Sequence, residues 1–150
     1  MTETPGAVDP TLPIVVGVDG SESSTDALRW AVRQAELTGA PLLAAISWSY
    51  PNSYGYLAPW PSDYDPEADA TTQLERVIAD VVPSTMTIRR EVLSGHPALG
   101  LEDLSTRASL LVVGSRGHGE FAGMLLGSVS AYLATHAHCP IVIVRSEPKP

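Results

Sequence analysis

Apolar residues fall along this chain in two alternating kinds of run. Ile14 to Asp19 reads IVVGVD, a continuous β-branched stretch ending in Gly-Ser turn chemistry, which predicts a strand buried on both faces. Behind it, Ser23-Ser24-Thr25-Asp26 has capping-box character, and Ala27, Leu28, Ala31 and Ala35 recur at helical spacing up to Gly39. A helix is predicted over 24–38. Residues 42–48, flanked by Pro41 and Pro51, predict a second strand. Leu74, Val77, Ile78, Val81 and Val82 then form the single stripe of an amphipathic helix. Met86, Ile88 and Val92 alternate with Thr87, Arg89 and Glu91, so the third strand is half exposed and belongs at a sheet edge. Pro97 opens a third helix that turns Leu101, Leu104 and Ala108 inward. A fourth strand is expected over 110–115, then a glycine-rich loop, a fourth helix over 128–137 and a fifth strand over 141–144.

Strands alternating with helices imply a single-domain α/β fold: an open five-stranded parallel sheet with right-handed crossovers and helices on both faces. Ligands of such sheets bind outside the carboxyl ends of the strands, where the winding reverses. The loops beginning at Asp19 and Gly114 are therefore the first places to look.

Composition narrows the picture. One hundred and fifty residues, 44% of them hydrophobic, fill one domain, expected over 13–145 between a loose N-terminal tail (1–12) and a C-terminal tail (146–150). Seventeen acidic against nine basic residues give a net charge of −8, which argues against a protein built to hold nucleic acid on a broad basic face. A small anion can still bind locally. Cys139 is the single cysteine, so neither an intrachain disulfide nor a multi-cysteine zinc site can form. The start, MTETPGAVDPTLP, lacks the basic and apolar regions of a secretion signal, and no apolar run nears the roughly 20 residues of a membrane span. The expectation is a cytoplasmic protein with no membrane association.

Residues 114–130 read GSRGHGEFAGMLLGSVS. Gly114 and Gly117 permit left-handed or tight turns and let the backbone approach a ligand. Gly127-Ser128-Val129-Ser130 stands where the fourth helix begins, so unpaired N–H groups and the positive dipole end point outward together, with two hydroxyls beside them. These are the parts of a phosphate cradle that needs no large net positive charge. They are equally the parts of an ordinary turn and N-cap, and residue types alone do not separate the two.

The spacing does. Gly114-x2-Gly117-x9-Gly127-Ser128, a first strand ending Val18-Asp19-Gly20-Ser21, and a closing Pro140-Ile141-Val142-Ile143-Val144 resemble the universal stress protein family, in its ATP-binding subgroup, over about residues 13–145. The resemblance implies strand order 3-2-1-4-5 in a Rossmann-like, adenine nucleotide alpha hydrolase-like fold. It further implies ATP held with Gly114, Arg116, Gly117, Gly127, Ser128, Val129 and Ser130 around ribose and phosphates. Gly17, Val18 and Asp19 would lie at the base and sugar end, with Ile46 as an apolar contact to adenine. Asp19 suits a sugar hydroxyl, a base amine or Mg²⁺. The resemblance also implies a homodimer, joined across the apolar edge strand Ile141–Arg145.

Other motifs carry less. Gly117-His118-Gly119-Glu120-Phe121-Ala122 matches a dinucleotide fingerprint in letters, but too little chain follows for its βαβ frame. Lys occurs only at Lys149, so no Walker A exists. His118 reads as exposed and idle. His136, His138 and Cys139 lack convergent metal-ligand spacing and read as helix-end groups plus a small hydrophobe. Trp48, Tyr50, Tyr54, Tyr56, Trp60 and Tyr64 crowd one proline-rich stretch near 50–66, which either covers the core or forms a lid or docking surface. The functional expectation is a regulatory nucleotide binder in the stress response rather than an enzyme. Alternatives are a slow Mg-dependent ATPase or phosphotransferase, and a structural stress dimer with no nucleotide.

Overall fold

The computed structural model describes residues 9–50, 61–117 and 125–146. Strand β1 (Ile14–Val18) leads to helix α1 (Glu22–Thr38), and β2 (Leu42–Trp48) leads to α2 (Pro66–Val81). Next come β3 (Ile88–Ser94), α3 (Pro97–Ser105) and β4 (Leu110–Gly114), then α4 (Ser128–His136) and β5 (Ile141–Val144). All five strands are parallel, in the order β3-β2-β1-β4-β5, which is the expected α/β sheet with β3 at one edge and β5 at the other.

The sheet separates two cores. On one face α1 and α2 cover Val16, Val18, Leu42, Ala44 and Ile46; on the other α3 and α4 cover Val15, Leu43, Ala45, Leu111 and Val113. Alternate residues of one strand go to opposite faces, which is why the buried strands read as unbroken apolar runs. Leu28, Leu74 and Leu104 are at most 1% exposed, and each contributes about 1.5–3 kcal/mol by burial.

Local boundaries depart from the sequence reading at several elements. Helix α1 starts at Glu22, because Ser21 and not Ser23 accepts the capping bond, from the Ser24 N–H at 3.2 Å. Helix α2 begins at Pro66 behind the Asp65 cap, inside the stretch read as loop. Strand β3 starts two residues late and runs to Ser94, since its pairing follows β2 through Trp48↔Ser94. Strands β1 and β4 stop one residue short of Asp19 and Ser115. Tyr54, Tyr56 and Trp60, the proline-rich stretch 51–60, His118 and the rest of the dinucleotide-like motif to Phe121 and Ala122 lie outside the described residues. So do the far ends of both tails, 1–8 and 147–150.

Candidate functional site

Two chain segments meet at the carboxyl end of the sheet's centre. After β1 the backbone turns through Gly20, whose φ of 82° suits glycine, and a Cβ there would also run into Gln73. The Asp19 N–H donates to Ser24 Oγ at 3.2 Å, and the Ser21 N–H donates to Asp19 Oδ1 at 2.8 Å. Asp19 thus spends one carboxylate oxygen on its own loop and presents the other, Oδ2, toward Gly117, where a Cβ would lie 2.7 Å away.

The segment after β4 is fixed from both sides. A Cβ on Gly114 would come within 2.7 Å of the Ser23 carbonyl carbon and 2.8 Å of its oxygen, so this glycine lets the first turn of α1 rest on the end of β4. The Arg116 N–H reaches Ser23 Oγ at 3.4 Å. The Gly127 N–H donates to the Ser115 carbonyl at 2.6 Å, and Ser130 Oγ donates to the Ser115 and Gly127 carbonyls at 2.9 and 3.2 Å. A serine hydroxyl has one proton, so Ser130 holds the loop against α4 rather than standing free as a phosphate donor, contrary to expectation.

The glycines also act differently from the sequence reading. Neither Gly114 nor Gly117 has a positive φ, and Gly127 sits at φ −73° and ψ 171°, ordinary extended backbone. What they supply is room: Gly114 for α1, and Gly117 for the Asp19 carboxylate. Gly127 caps α4 and carries no side chain to occupy the helix start; no side-chain capping bond forms there. Helices α1, α2 and α3, by contrast, are capped by Ser21, Asp65 and His96.

Between these segments lies an open cleft. Gly17, Val18, Asp19, Gly114, Arg116, Gly117, Gly127, Val129 and Ser130 all line it. Ile46 does not: it is 3% exposed and packs with Val16 and Val18 in the α1/α2 core, because strand parity sends it to the opposite face. Its neighbours Ala45 and Ser47 line the cleft instead, joined by Pro97 and Leu101 of α3. Leu101 reaches in because Gly17 has no side chain; a Cβ there would lie 2.8 Å from Leu101 Cδ1. Ser128, exposed at the start of α4, is not among the lining residues. Counting alternate residues along β2 from buried Leu43 would have found Ala45 and Ser47.

Electrostatically the mouth holds one acid, Asp19, and one base, Arg116, which forms no ion pair among the described residues. Those residues hold no group of three His, Cys, Asp or Glu side chains able to bind a metal ion. An Mg²⁺ would therefore take most of its ligands from a phosphate chain and water, with Asp19 Oδ2 as the protein's contribution, a sharing usual for this ion. Away from the cleft, His136 Nδ1 lies 2.8 Å from the Tyr132 carbonyl at the end of α4, and its ring stacks on Tyr132 at 3.9 Å. For His138 the bond is a backbone one, its N–H to Ser105 Oγ at 2.9 Å. Cys139 packs in the α3/α4 core, where burial pushes its thiol pKa up and makes it a poor nucleophile.

Comparison with known proteins bears on the whole domain. The model of the universal stress protein family matches residues 11–145. Universal stress protein Rv2623 of Mycobacterium tuberculosis is 38% identical over 147 residues, covering 91% of this chain and 48% of the relative. The chain thus spans about half the length of the curated relatives it matches. A universal stress protein solved in complex with cAMP superposes with a TM-score of 0.70 at 28% identity, covering 93% of this chain and all of the other. UspA of Lactobacillus plantarum shares the fold, with a TM-score of 0.66 at 24% identity over 89% of this chain and 97% of that one. No helix among the described residues is long and apolar enough to cross a membrane.

Proposed function

The chain belongs to the universal stress protein family, and from that premise we propose that it binds ATP in the cleft between β1, β4 and α4 and acts as a cytoplasmic regulator in the stress response. The observation that carries this reading is the start of α4: a dipole end aimed at a cleft and capped by a residue with no side chain. Main-chain amides near Gly114, Gly117 and 127–130 hold the phosphates, and Arg116 adds a guanidinium for their outer oxygens. Asp19 takes a ribose hydroxyl or shares Mg²⁺ with the phosphates. Adenine rests toward Gly17, Ala45 and Leu101, the apolar part of the cleft lining. The cAMP complex of a relative at 28% identity supports an adenine nucleotide as ligand class.

A binder rather than a fast hydrolase follows from what lines the cleft. Among the described residues no lysine and no histidine does so, leaving no evident general base there to activate water. Mass spectrometry of gently denatured protein separates the readings: retained ATP supports the regulator, ADP with released phosphate favours slow hydrolysis, and absence of nucleotide after ATP loading contradicts the proposal.

Dimerisation rests on β5. Its four residues Ile141–Val144 are each half-buried, and β5 is a sheet edge paired only with β4. A second chain can cover that apolar edge about a two-fold axis. Replacing Val142 and Val144 with Lys should give monomers in light scattering; a charged edge that still dimerises contradicts this arrangement.

A further inference from the structure

The two faces of the sheet are covered unequally. Helices α1 and α2, of 17 and 16 residues, span one face, while α3 and α4 have nine residues each. Nine residues reach only about 14 Å. At the amino ends of β1, β2 and β3, opposite the proposed nucleotide cleft, the α3 face therefore stays open as a groove of about 330 Å³.

Its floor is apolar and its rim is cationic. Val15, Leu43 and Arg89 lie side by side in one register row, and Leu104 of α3 closes the end. Val15, Leu43 and Leu104 are buried core residues, whereas Arg89 and Arg107 are exposed. Arg89 and Arg107 form no ion pair among the described residues; Arg90, also on the rim, is held by Glu75 and donates to the Ile88 carbonyl at 3.1 Å. Glu91, one row nearer the nucleotide cleft, is the one acid lining the groove. Three of the chain's nine basic residues thus gather here in a molecule of net charge −8.

We infer that this groove binds a small organic monoanion, a carboxylate with an apolar tail, at a site separate from the nucleotide. Arg89 and Arg107 hold the anionic head in a guanidinium fork, and the tail lies along the groove against Leu12 and Pro13, the half-buried apolar residues of its lining, with the buried Leu43, Val15 and Leu104 beneath. Charge complementarity selects the head. An acidic surface elsewhere leaves this rim as a local attractor for anions. The Glu91 carboxylate, two register rows beyond Arg89, disfavours a second negative group.

The test uses the full chain without nucleotide, with octanoate as probe and amide NMR as readout. Saturable shifts are expected at Leu43, Arg89, Leu104 and Arg107, with 1-octanol binding about tenfold more weakly for want of the charge. The double variant R89Q/R107Q should weaken octanoate about tenfold or more while ATP affinity stays as in the parent. R107Q alone, in an exposed turn, gives the same direction should the double variant fold poorly. Octanoate shifts absent from this patch, octanol binding equally well, or variants that bind octanoate like the parent would each overturn the site. Because ATP is measured separately, loss of the nucleotide reading leaves this result standing, and the reverse holds too.

Discussion

Of the four helices that begin at the carboxyl end of this sheet, α1 and α4 flank the cleft and begin differently. Helix α1 satisfies itself: Ser21 accepts from the Ser24 N–H, Ser24 Oγ donates back to the Ser21 carbonyl, and Asp19 takes the Ser21 N–H. Helix α4 starts at a glycine that offers no acceptor. In the first the chain supplies its own oxygen atoms where the dipole is positive. In the second the capping residue supplies no side-chain oxygen. Under the proposed function, the difference is that a ligand site is made by withholding a side-chain cap, while Ser130, a serine near a helix start, is taken up by the Ser115 and Gly127 carbonyls.

Gly127→Asp tests the contrast most strongly, because it turns the start of α4 into the kind found in α1. A carboxylate there fills the position of the phosphates and repels them, so ATP affinity should fall on the order of 100-fold or more. Stability should hold or rise by a few tenths of a kcal/mol, since Asp is the better N-cap. Calorimetry beside urea unfolding reads both. Loss of binding accompanied by loss of stability would mean the glycine is needed for the fold instead.

Gly114→Ala attacks the joint between the two helix starts. Its Cβ would press on the Ser23 backbone, which cannot swing aside as a side chain can, and α1 must move off β4. A loss of about 2 kcal/mol in unfolding free energy is expected, with weaker ATP binding as a consequence. An unaltered urea midpoint would show that the joint has slack.

Ser21→Ala has the smallest effect. Losing the α1 cap should cost about 1 kcal/mol in urea unfolding and leave ATP affinity within a factor of about three. A large loss of affinity would erase the distinction between the self-capped helix and the open one.

The fold was legible because its strands are continuous apolar runs and β3 alone carries Arg89, Arg90 and Glu91, marking an edge. The location of the cleft was legible too, from topology and from glycine spacing. Individual contacts were harder to read. Ile46 was misplaced because in a strand buried on both faces every position is apolar, and hydrophobicity alone does not reveal parity. Gly114 and Gly117 signal close approach in sequence, but the approaching partner is Ser23 in one case and Asp19 in the other. The inward turn of the Ser130 hydroxyl depends on the Ser115 carbonyl, 15 residues away, which no local pattern encodes. The start of α2 was missed although Asp65-Pro66-Glu67 is a sound cap signal; the prolines and aromatics before it masked it.

An ATP titration followed by amide NMR bears most directly on the central claim, that backbone amides at an open helix start hold a phosphate chain. Saturable shifts should centre on Gly114, Arg116, Gly117 and the first turn of α4 from Ser128 to Ser130, with little change around Ser21. Shifts confined to other parts of the sheet, or none as ATP is raised well above the protein concentration, would contradict it.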